Sequence, residues 1–231
     1  MKALPWSLFL IAALSLTARA DFTIVQNVEG KKQSHQITLK IKGDKIRMEA
    51  TPQMTMIVDG RTGDTITLMN TQKKIVRISG DKAKAIAEMA AKYGGGNSPK
   101  PKLVATGKKM TIESYEADEY VAESKQFKAH YWIAPSYPNS AAILKQLQTI
   151  VPAAWNDLAK GMIDYRDLPG FPIRTQMTIG DDEIVSTVVA VKTDPISDAE
   201  FLLPADFQEM KIPNVPGMTT EKPQSAPAAK P

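Results

Sequence analysis

Short runs in which apolar and polar residues alternate dominate this chain, and a period of two is typical of half-buried antiparallel β-strands. Ile37 to Ile41 form one such run, and Ile46 to Ala50 form the next. Gly43-Asp44 lies between them, with the composition of a tight hairpin turn. The sequence therefore predicts a meander in which strands that are neighbours in the chain pair with each other.

The same pattern predicts further strands in both halves of the chain. They run over Met54 to Asp59, Asp64 to Met69, Lys74 to Ile78, Leu103 to Lys108, Met110 to Ser114, Ala117 to Ala122, Phe127 to Ala134, Ile173 to Ile179 and Ile184 to Lys192. The last of these is apolar on both faces, which predicts a central and covered position. A sheet of roughly ten strands is expected to curl, because the twist between strands accumulates.

Two intervals change to the spacing of amphipathic helices. Asp81 to Tyr93 is rich in alanine and predicts a short helix, while Ser140 to about Lys160, interrupted at Pro152, predicts two packed helices. Residues 94–102 contain three consecutive glycines followed by prolines, which indicates a flexible linker within the domain. The predicted fold class is α+β: a large curved antiparallel β-sheet, or half-barrel, with helices covering its concave face.

Both ends of the chain have the composition of segments outside a folded domain. Lys2, an apolar run over Leu8 to Leu16 and the triplet Ala18-Arg19-Ala20 have the order of a secretory signal peptide. We expect cleavage after Ala20 and a periplasmic location. Residues 21–212 are expected to form one domain, and the proline-rich residues 213–231 a disordered tail.

Charge and composition argue against several classes of function. Removal of Lys2 and Arg19 with the signal leaves 27 basic against 25 acidic residues, spread along the chain, so nucleic acid is not an expected partner. The apolar run near the N-terminus is too short for a spanning helix, so the protein is not expected to cross a membrane. With no cysteine and two histidines, the sequence offers neither a common metal site nor a cysteine nucleophile, and no cofactor is expected.

The histidines and acidic clusters are interpreted as structural. His35 and His130 follow the alternation of their strands, without an identifiable catalytic partner. Asp181-Asp182-Glu183 lies in a predicted turn, and Glu116, Asp118 and Glu119 alternate across a strand, so both clusters are expected to be solvated. A loose calcium site is a weaker alternative, because the ordered ligand spacing of a dedicated loop is missing.

Methionine is the unusual residue of this sequence, with eleven in the chain. A surface lined with this flexible, polarisable side chain can repack around ligands of different shapes. The candidate ligand-binding residues, taken from strand faces and helix stripes, are Met48, Met54, Met56, Ile86, Met89, Tyr93, Met110, Trp132 and Met177. Plain core packing is the alternative for each methionine, and a Cu(I) site at Met54-Thr55-Met56 is a weaker one.

Several short motifs add a resemblance to known proteins. Gly43 to Glu49, then Pro52 and Ile57-Val58-Asp59-Gly60, resemble the opening sheet of the LolA/LolB lipoprotein-carrier superfamily. The second half is similar to an uncharacterised periplasmic family, domain of unknown function 4412. The motifs that carry this second similarity are Thr106-Gly107, Ile112 to Tyr115, Glu119-Tyr120-Val121, Trp132-Ile133-Ala134, Pro169 to Arg174 and Phe201 to Pro204. The resemblance implies a half-barrel fold and, more weakly, lipoprotein transfer.

These observations favour a non-enzymatic periplasmic carrier that holds a hydrophobic ligand, such as an acyl chain, a lipid or a lipidated peptide. The helix from Asp81 to Tyr93 is the expected lid, with Ile86, Met89, Ala90 and Tyr93 toward the cavity. The alternative is a structural or protein-interaction module of the cell envelope that binds no small ligand and works through a sheet edge or the proline-rich tail. A hydrolase is the third and weakest hypothesis.

Overall fold

The computed structural model describes residues 20–31, 34–93, 101–124, 127–150 and 163–210. Its strands are β1 (Phe22–Gly30), β2 (Ser34–Lys42), β3 (Lys45–Thr51), β4 (Met54–Asp59), β5 (Thr65–Met69), β6 (Lys74–Ile78), β7 (Leu103–Ile112), β8 (Tyr115–Glu123), β9 (Phe127–Ile133), β10 (Pro172–Ile179), β11 (Asp182–Lys192) and β12 (Gln208–Met210). The helices are α1 (Gly80–Tyr93) and α2 (Ser140–Ile150), and 3-10 turns cover Tyr165–Asp167 and Asp198–Phe201.

All twelve strands belong to one sheet, which curves without closing and runs in the order β12-β6-β5-β4-β3-β2-β1-β11-β10-β9-β8-β7. The predicted α+β half-barrel is confirmed. Two consecutive meanders meet where β1 pairs with β11 in antiparallel register, so the last long strand is central as predicted. The short strand β12, which the sequence did not predict, pairs with β6 in parallel.

The main core lies on the face of the sheet that α2 covers. Ile143, Leu144, Leu147 and Ile150 of α2 are buried there against residues from both meanders, including Ile24 and Ile133. Since one helix contacts both halves of the sheet, the sheet curves around it and this face is the concave one. Pro152 and the residues expected to form the second helix lie outside the described residues.

Gly60 lies directly against Ile150, the last described residue of α2. A Cβ atom at this position would lie 2.7 Å from the Cα of Ile150 and closer still to the carbonyl oxygen of that residue. The side chain of Gln146 also donates a hydrogen bond of 3.2 Å to the carbonyl oxygen of Gly43. Helix α2 therefore rests directly on the two hairpin turns that follow β2 and β4.

The opposite face of β3 to β6 carries a second core. Residues 193–207, here called the strap, cross this face and bury Ile196 and Phe201 against Ile57, Leu68 and Ile75. Ion pairs flank the strap, since Lys42 contacts Asp198 at 2.9 Å and Lys40 contacts Glu200 at 2.9 Å. The sheet is thus covered on both faces in its N-terminal half, by α2 and by the strap.

One predicted boundary is wrong, and several predictions stay open. Residues 103–114 were expected to form two strands, but they form the single strand β7, interrupted by a bulge between Ala105 and Lys109. Gly107 in this bulge has a φ angle of +76°, which a glycine adopts without strain. The signal peptide before Ala20, the linker glycines and the tail after Met210 lie outside the described residues.

Candidate functional site

Methionines from three neighbouring strands adjoin each other on the concave face. Met48 of β3 pairs with Met56 of β4, and Met54 of β4 pairs with Met69 of β5. Leu39 lies opposite Met48 and extends the set to β2. We call these five residues the methionine patch. Since residues two apart on a strand share a face, Met54 and Met56 join the two pairs into one continuous apolar surface.

The methionine patch is only partly covered. Met54 is 39% exposed, and the other four members are intermediate in exposure. Leu39 and Met56 pack against the main core on one side, so the patch forms the accessible margin of that core. Three of the predicted binding residues, Met48, Met54 and Met56, therefore come together here.

The remaining strand residues that were predicted to bind a ligand lie in the C-terminal meander. Met177 packs against the main core. Ile184 of β11, which pairs with Met177 of β10, is 41% exposed. Met110 is 42% exposed on the edge strand β7. Trp132 is buried and belongs to the main core, although strand alternation places it on the side of β9 opposite Ala129. The predicted residues thus occupy several separate surfaces.

The predicted lid corresponds to helix α1. Its N-terminus is held by a hydrogen bond of 3.0 Å from the Gly80 amide to the Asp64 carboxylate, and Ala83 is buried. Ile86 and Met89 are intermediate in exposure. The side chain of Tyr93 lies outside the described part of the chain. Whether α1 works as a lid stays a prediction.

A polar constellation on β7, β8 and β9 was not predicted from the sequence. The Glu119 side chain is buried, with its residue 7% exposed, and one carboxylate oxygen accepts a hydrogen bond of 2.6 Å from the Thr106 hydroxyl. Its other oxygen lies 2.8 Å from Nδ1 of His130. The β7 bulge supplies Thr106, so a local irregularity of one strand positions the partner of a buried acid on the next.

The hydrogen bonds to Glu119 determine its charge. The hydrogen bond from Thr106 lowers the pKa of the Glu119 carboxyl; burial opposes this effect, and the contact with His130 reinforces it. An ionised carboxylate can only accept hydrogen bonds, so Nδ1 of His130 must be the donor. The expectation that Glu119 would be solvated is therefore wrong. Ala117 and Val121 share a strand face with Glu119 and are both apolar, and this was the sequence signal that Glu119 would be buried.

His130 follows the alternation predicted for it, and this places its ring beside Trp132. The two rings stack at a centroid separation of 5.8 Å with planes 19° apart. The guanidinium of Arg174 lies 5.9 Å from the centre of the Trp132 ring and donates a hydrogen bond to the Thr187 hydroxyl. Aromatic stacking and the Glu119 contact together hold the His130 ring in one orientation.

A cleft of about 510 Å³ opens beside this constellation. Its lining residues are Lys102, Val104, Thr106, Lys108, Glu119, Val121, Glu123, Lys128 and His130. We call this space the β7–β9 cleft. Within the described ranges, no group of three or more acidic or histidine side chains is arranged to hold a metal ion. The described helices include none that is long and apolar enough to cross a membrane.

Comparison with known families identifies the chain. The family model "Domain of unknown function (DUF4412)" matches residues 23–207, which include all strands from β2 to β11 and the strap. The protein belongs to the DUF4412 family. This membership confirms the resemblance that the motifs of the second half indicated. No curated protein is significantly similar to this DUF4412 chain.

Solved structures with similarity to this DUF4412 chain share little sequence with it. PNGF-II is 13% identical with a TM-score of 0.43, and the match covers 83% of this chain and 31% of PNGF-II. The chain thus spans about a third of that protein. The lipoprotein LppX of Mycobacterium tuberculosis is 10% identical, with a TM-score of 0.36 and coverage of 76% and 88%. A DUF1329 family protein from Desulfovibrio piger is 11% identical, with a TM-score of 0.33 and coverage of 80% and 90%.

Proposed function

We propose that this DUF4412 protein is a non-enzymatic periplasmic binding or carrier protein that holds an apolar ligand, such as an acyl chain, a lipid or a lipidated peptide, against its concave face. The observation that carries the proposal is the methionine patch. It joins Met48, Met54, Met56 and Met69 in adjacent register positions and leaves them partly accessible beside the core.

The chemistry of the side chains supports an apolar ligand of variable shape. Methionine has an unbranched, flexible and polarisable side chain, so a group of methionines can change rotamers to follow different ligands. Covering a half-exposed apolar side chain with an acyl chain contributes roughly 25 cal/mol per Å² removed from water. Several adjacent methionines can therefore contribute several times the stabilisation that a single one offers.

The periplasmic location rests on the N-terminal sequence. Lys2, the apolar run over Leu8 to Leu16 and Ala18-Arg19-Ala20 have the order of a cleavable signal. Under this proposal the ligand-binding form begins at Asp21. The side chain of Asp21 accepts a hydrogen bond of 2.8 Å from the Ile196 amide, so this residue is already part of the folded domain.

Native mass spectrometry of protein recovered from the periplasm of a Gram-negative host tests both parts of the proposal. We expect a polypeptide that begins at Asp21 and a fraction of molecules with an additional mass that organic extraction removes and identifies as lipid. A polypeptide that retains its first residues would contradict the location. Ligand-free protein that also fails to bind a fluorescent fatty acid saturably would contradict the carrier function.

Matched substitutions locate the site. Met54→Glu introduces a charge into the methionine patch at a position that is 39% exposed, while Met210→Glu does so at a position on β12 that is 43% exposed. We expect at least a tenfold loss of fatty-acid affinity for Met54→Glu and no more than a twofold change for Met210→Glu. Met89→Glu tests the lid, and a large loss of affinity with unchanged stability would support a role for α1.

One observation favours the interaction module as a second candidate. Strand β7 ends the strand order of the sheet, and its residues from Val104 to Thr111 are exposed. An unpaired strand edge can bind an extended peptide by adding a strand. Proline substitution at an outward-facing amide of β7 would abolish such binding and leave fatty-acid binding intact, which separates this candidate from the carrier.

A further inference from the structure

The β7–β9 cleft has features that the carrier function does not use. It opens on the side of β9 that bears Lys128, His130 and Trp132, whereas Ala129 and Tyr131 alternate with them on the other side, where Ala129 pairs with Met177. The cleft and the methionine patch are therefore on different faces of the sheet. A ligand in one does not need the other.

The positive charges in the cleft outnumber the negative ones. Lys102, Lys108 and Lys128 line it together with two glutamates. Glu123 is paired with Lys128 at 3.5 Å, and the Glu119 carboxylate is occupied by its hydrogen bonds with Thr106 and His130. Each glutamate that lines the cleft thus already has a partner. Lys102 and Lys108 form no ion pair among the described residues, although the Lys108 charge also helps to lower the Glu119 pKa.

His130 presents one ring nitrogen to the cleft in a fixed direction. Because Nδ1 donates to Glu119, the free nitrogen is Nε2, which has no hydrogen-bond partner among the described residues. Nε2 is an acceptor in the neutral ring and an N–H donor in the protonated ring. The buried carboxylate, the bulge that supplies Thr106 and the stacked Trp132 ring all restrict the orientation of this single nitrogen.

We propose that the β7–β9 cleft binds the phosphate group of a ligand, with Lys102, Lys108 and, in the protonated ring, the Nε2–H group of His130 as the donors that contact its oxygens. Lysine ammonium groups bind phosphate as point charges, and a charge-assisted hydrogen bond is stronger than a neutral one. Val104, which is 58% exposed, and Val121 border the same space, so the cleft also accommodates an apolar group attached to the phosphate.

The histidines make the test specific, since the chain has two, His35 and His130. In full-length mature protein with ¹⁵N-labelled histidine, sodium phosphate is titrated against sodium chloride at constant ionic strength and pH. We expect a saturable shift of the Nε2 resonance of His130, assigned with His130→Gln, and no comparable shift for His35. No shift at His130, or equal shifts at both histidines, would overturn the proposal.

Lysine variants measure how much the cleft lysines contribute to phosphate affinity. Lys102→Gln and Lys108→Gln are each expected to weaken phosphate binding about fivefold, a typical scale for one exposed charge contact. Lys145→Gln, on the exposed side of α2, is the matched control and should leave the affinity unchanged. Equal effects of all three variants would indicate long-range attraction without a site and would overturn the proposal. All three positions are exposed, so these variants are expected to fold.

Two further titrations identify the source of the phosphate. Dihexanoyl phosphatidylglycerol, used below its micelle concentration, carries an anionic phosphate with short acyl chains, and dihexanoyl phosphatidylcholine carries the same chains with a neutralised headgroup. Tighter binding of phosphatidylglycerol than of inorganic phosphate supports a lipid headgroup, while binding of inorganic phosphate alone supports a small free ligand. Equal binding of the two lipids without a response to inorganic phosphate would contradict a phosphate site. All three titrations are read at the Nε2 resonance of His130, and at this resonance Met54→Glu, which disables the methionine patch, should leave them unchanged.

Discussion

Substitution of Gly60 by alanine tests how tightly α2 is bound to the sheet. The added Cβ would lie 2.7 Å from the Cα of Ile150, whereas carbon atoms in contact prefer about 3.5 Å or more. The last turn of α2 must therefore move by about 0.8 Å, because a backbone atom cannot escape by a change of rotamer. Ile150 and Leu147, which are 1% and 2% exposed, would move with it.

The expected loss of stability follows from two opposing effects. Overpacking of a filled core costs about 1 to 3 kcal/mol, and a clash with the backbone places Gly60→Ala in the upper part of this range. The lower conformational entropy of alanine in the unfolded chain offsets about 0.4 to 1 kcal/mol of that cost. We expect a net loss of about 1.5 to 2.5 kcal/mol, and a Tm lower by about 3 to 10 °C for a domain of this size.

Urea unfolding followed by circular dichroism provides the measurement. Lys145→Ala, on the exposed side of the same helix, should change the free energy of unfolding by no more than about 0.5 kcal/mol. If Gly60→Ala were also within 0.5 kcal/mol of the unsubstituted protein, the direct contact between α2 and the hairpin turn would be refuted.

Two further predictions concern stability. The pKa of Glu119 is lowered from 4.5 in the folded state, so its ionised carboxylate stabilises the fold fully above pH 4.5, and this contribution is lost as the pH falls through the folded pKa. Glu119→Gln should therefore be less stable than the unsubstituted protein at pH 7, and the difference should shrink by pH 3. A difference in the free energy of urea unfolding that stays constant between these pH values would contradict this prediction. A chain that ends at Lys192 lacks Ile196 and Phe201 of the second core and should lose about 3 to 6 kcal/mol. A chain that ends at Pro213 should keep its Tm within about 2 °C, and similar Tm values for the two truncated chains would show that the strap does not stabilise the fold.

The alternation of apolar residues was sufficient to predict most strands and the central position of β11, because period two is a local property of the sequence. Local patterns do not record which distant strands pair. The parallel pairing of β12 with β6 and the packing of the strap on Ile57 depend on contacts between residues more than a hundred positions apart. These features became visible only in the structure.

Because local patterns do not record which distant strands pair, the candidate site was also predicted only in part. Met48, Met54 and Met56 were recognised because their strand parity can be counted from the sequence, whereas the pairing of Met54 with Met69 follows only from the register of β4 with β5. Glu119 was expected to be solvated because the acidic residues Glu116, Asp118 and Glu119 alternate across a strand and do not all share a face. Its partners come from two other strands, and the bulge that brings Thr106 to it has only Gly107 as a local sequence signal.

The pairing of β1 with β11 also has a kinetic consequence for a chain made from its N-terminus. β1 is synthesised early, but its second partner becomes available only when residues 182–192 have been made, so the centre of the sheet cannot form until most of the chain exists. Closing so long a loop has an entropic cost that precedes any gain from the pairing, and non-local pairing of this kind slows folding. Until then the N-terminal meander has an open edge at β1. Slow completion of the sheet keeps the chain extended for longer, as the export that we propose would require.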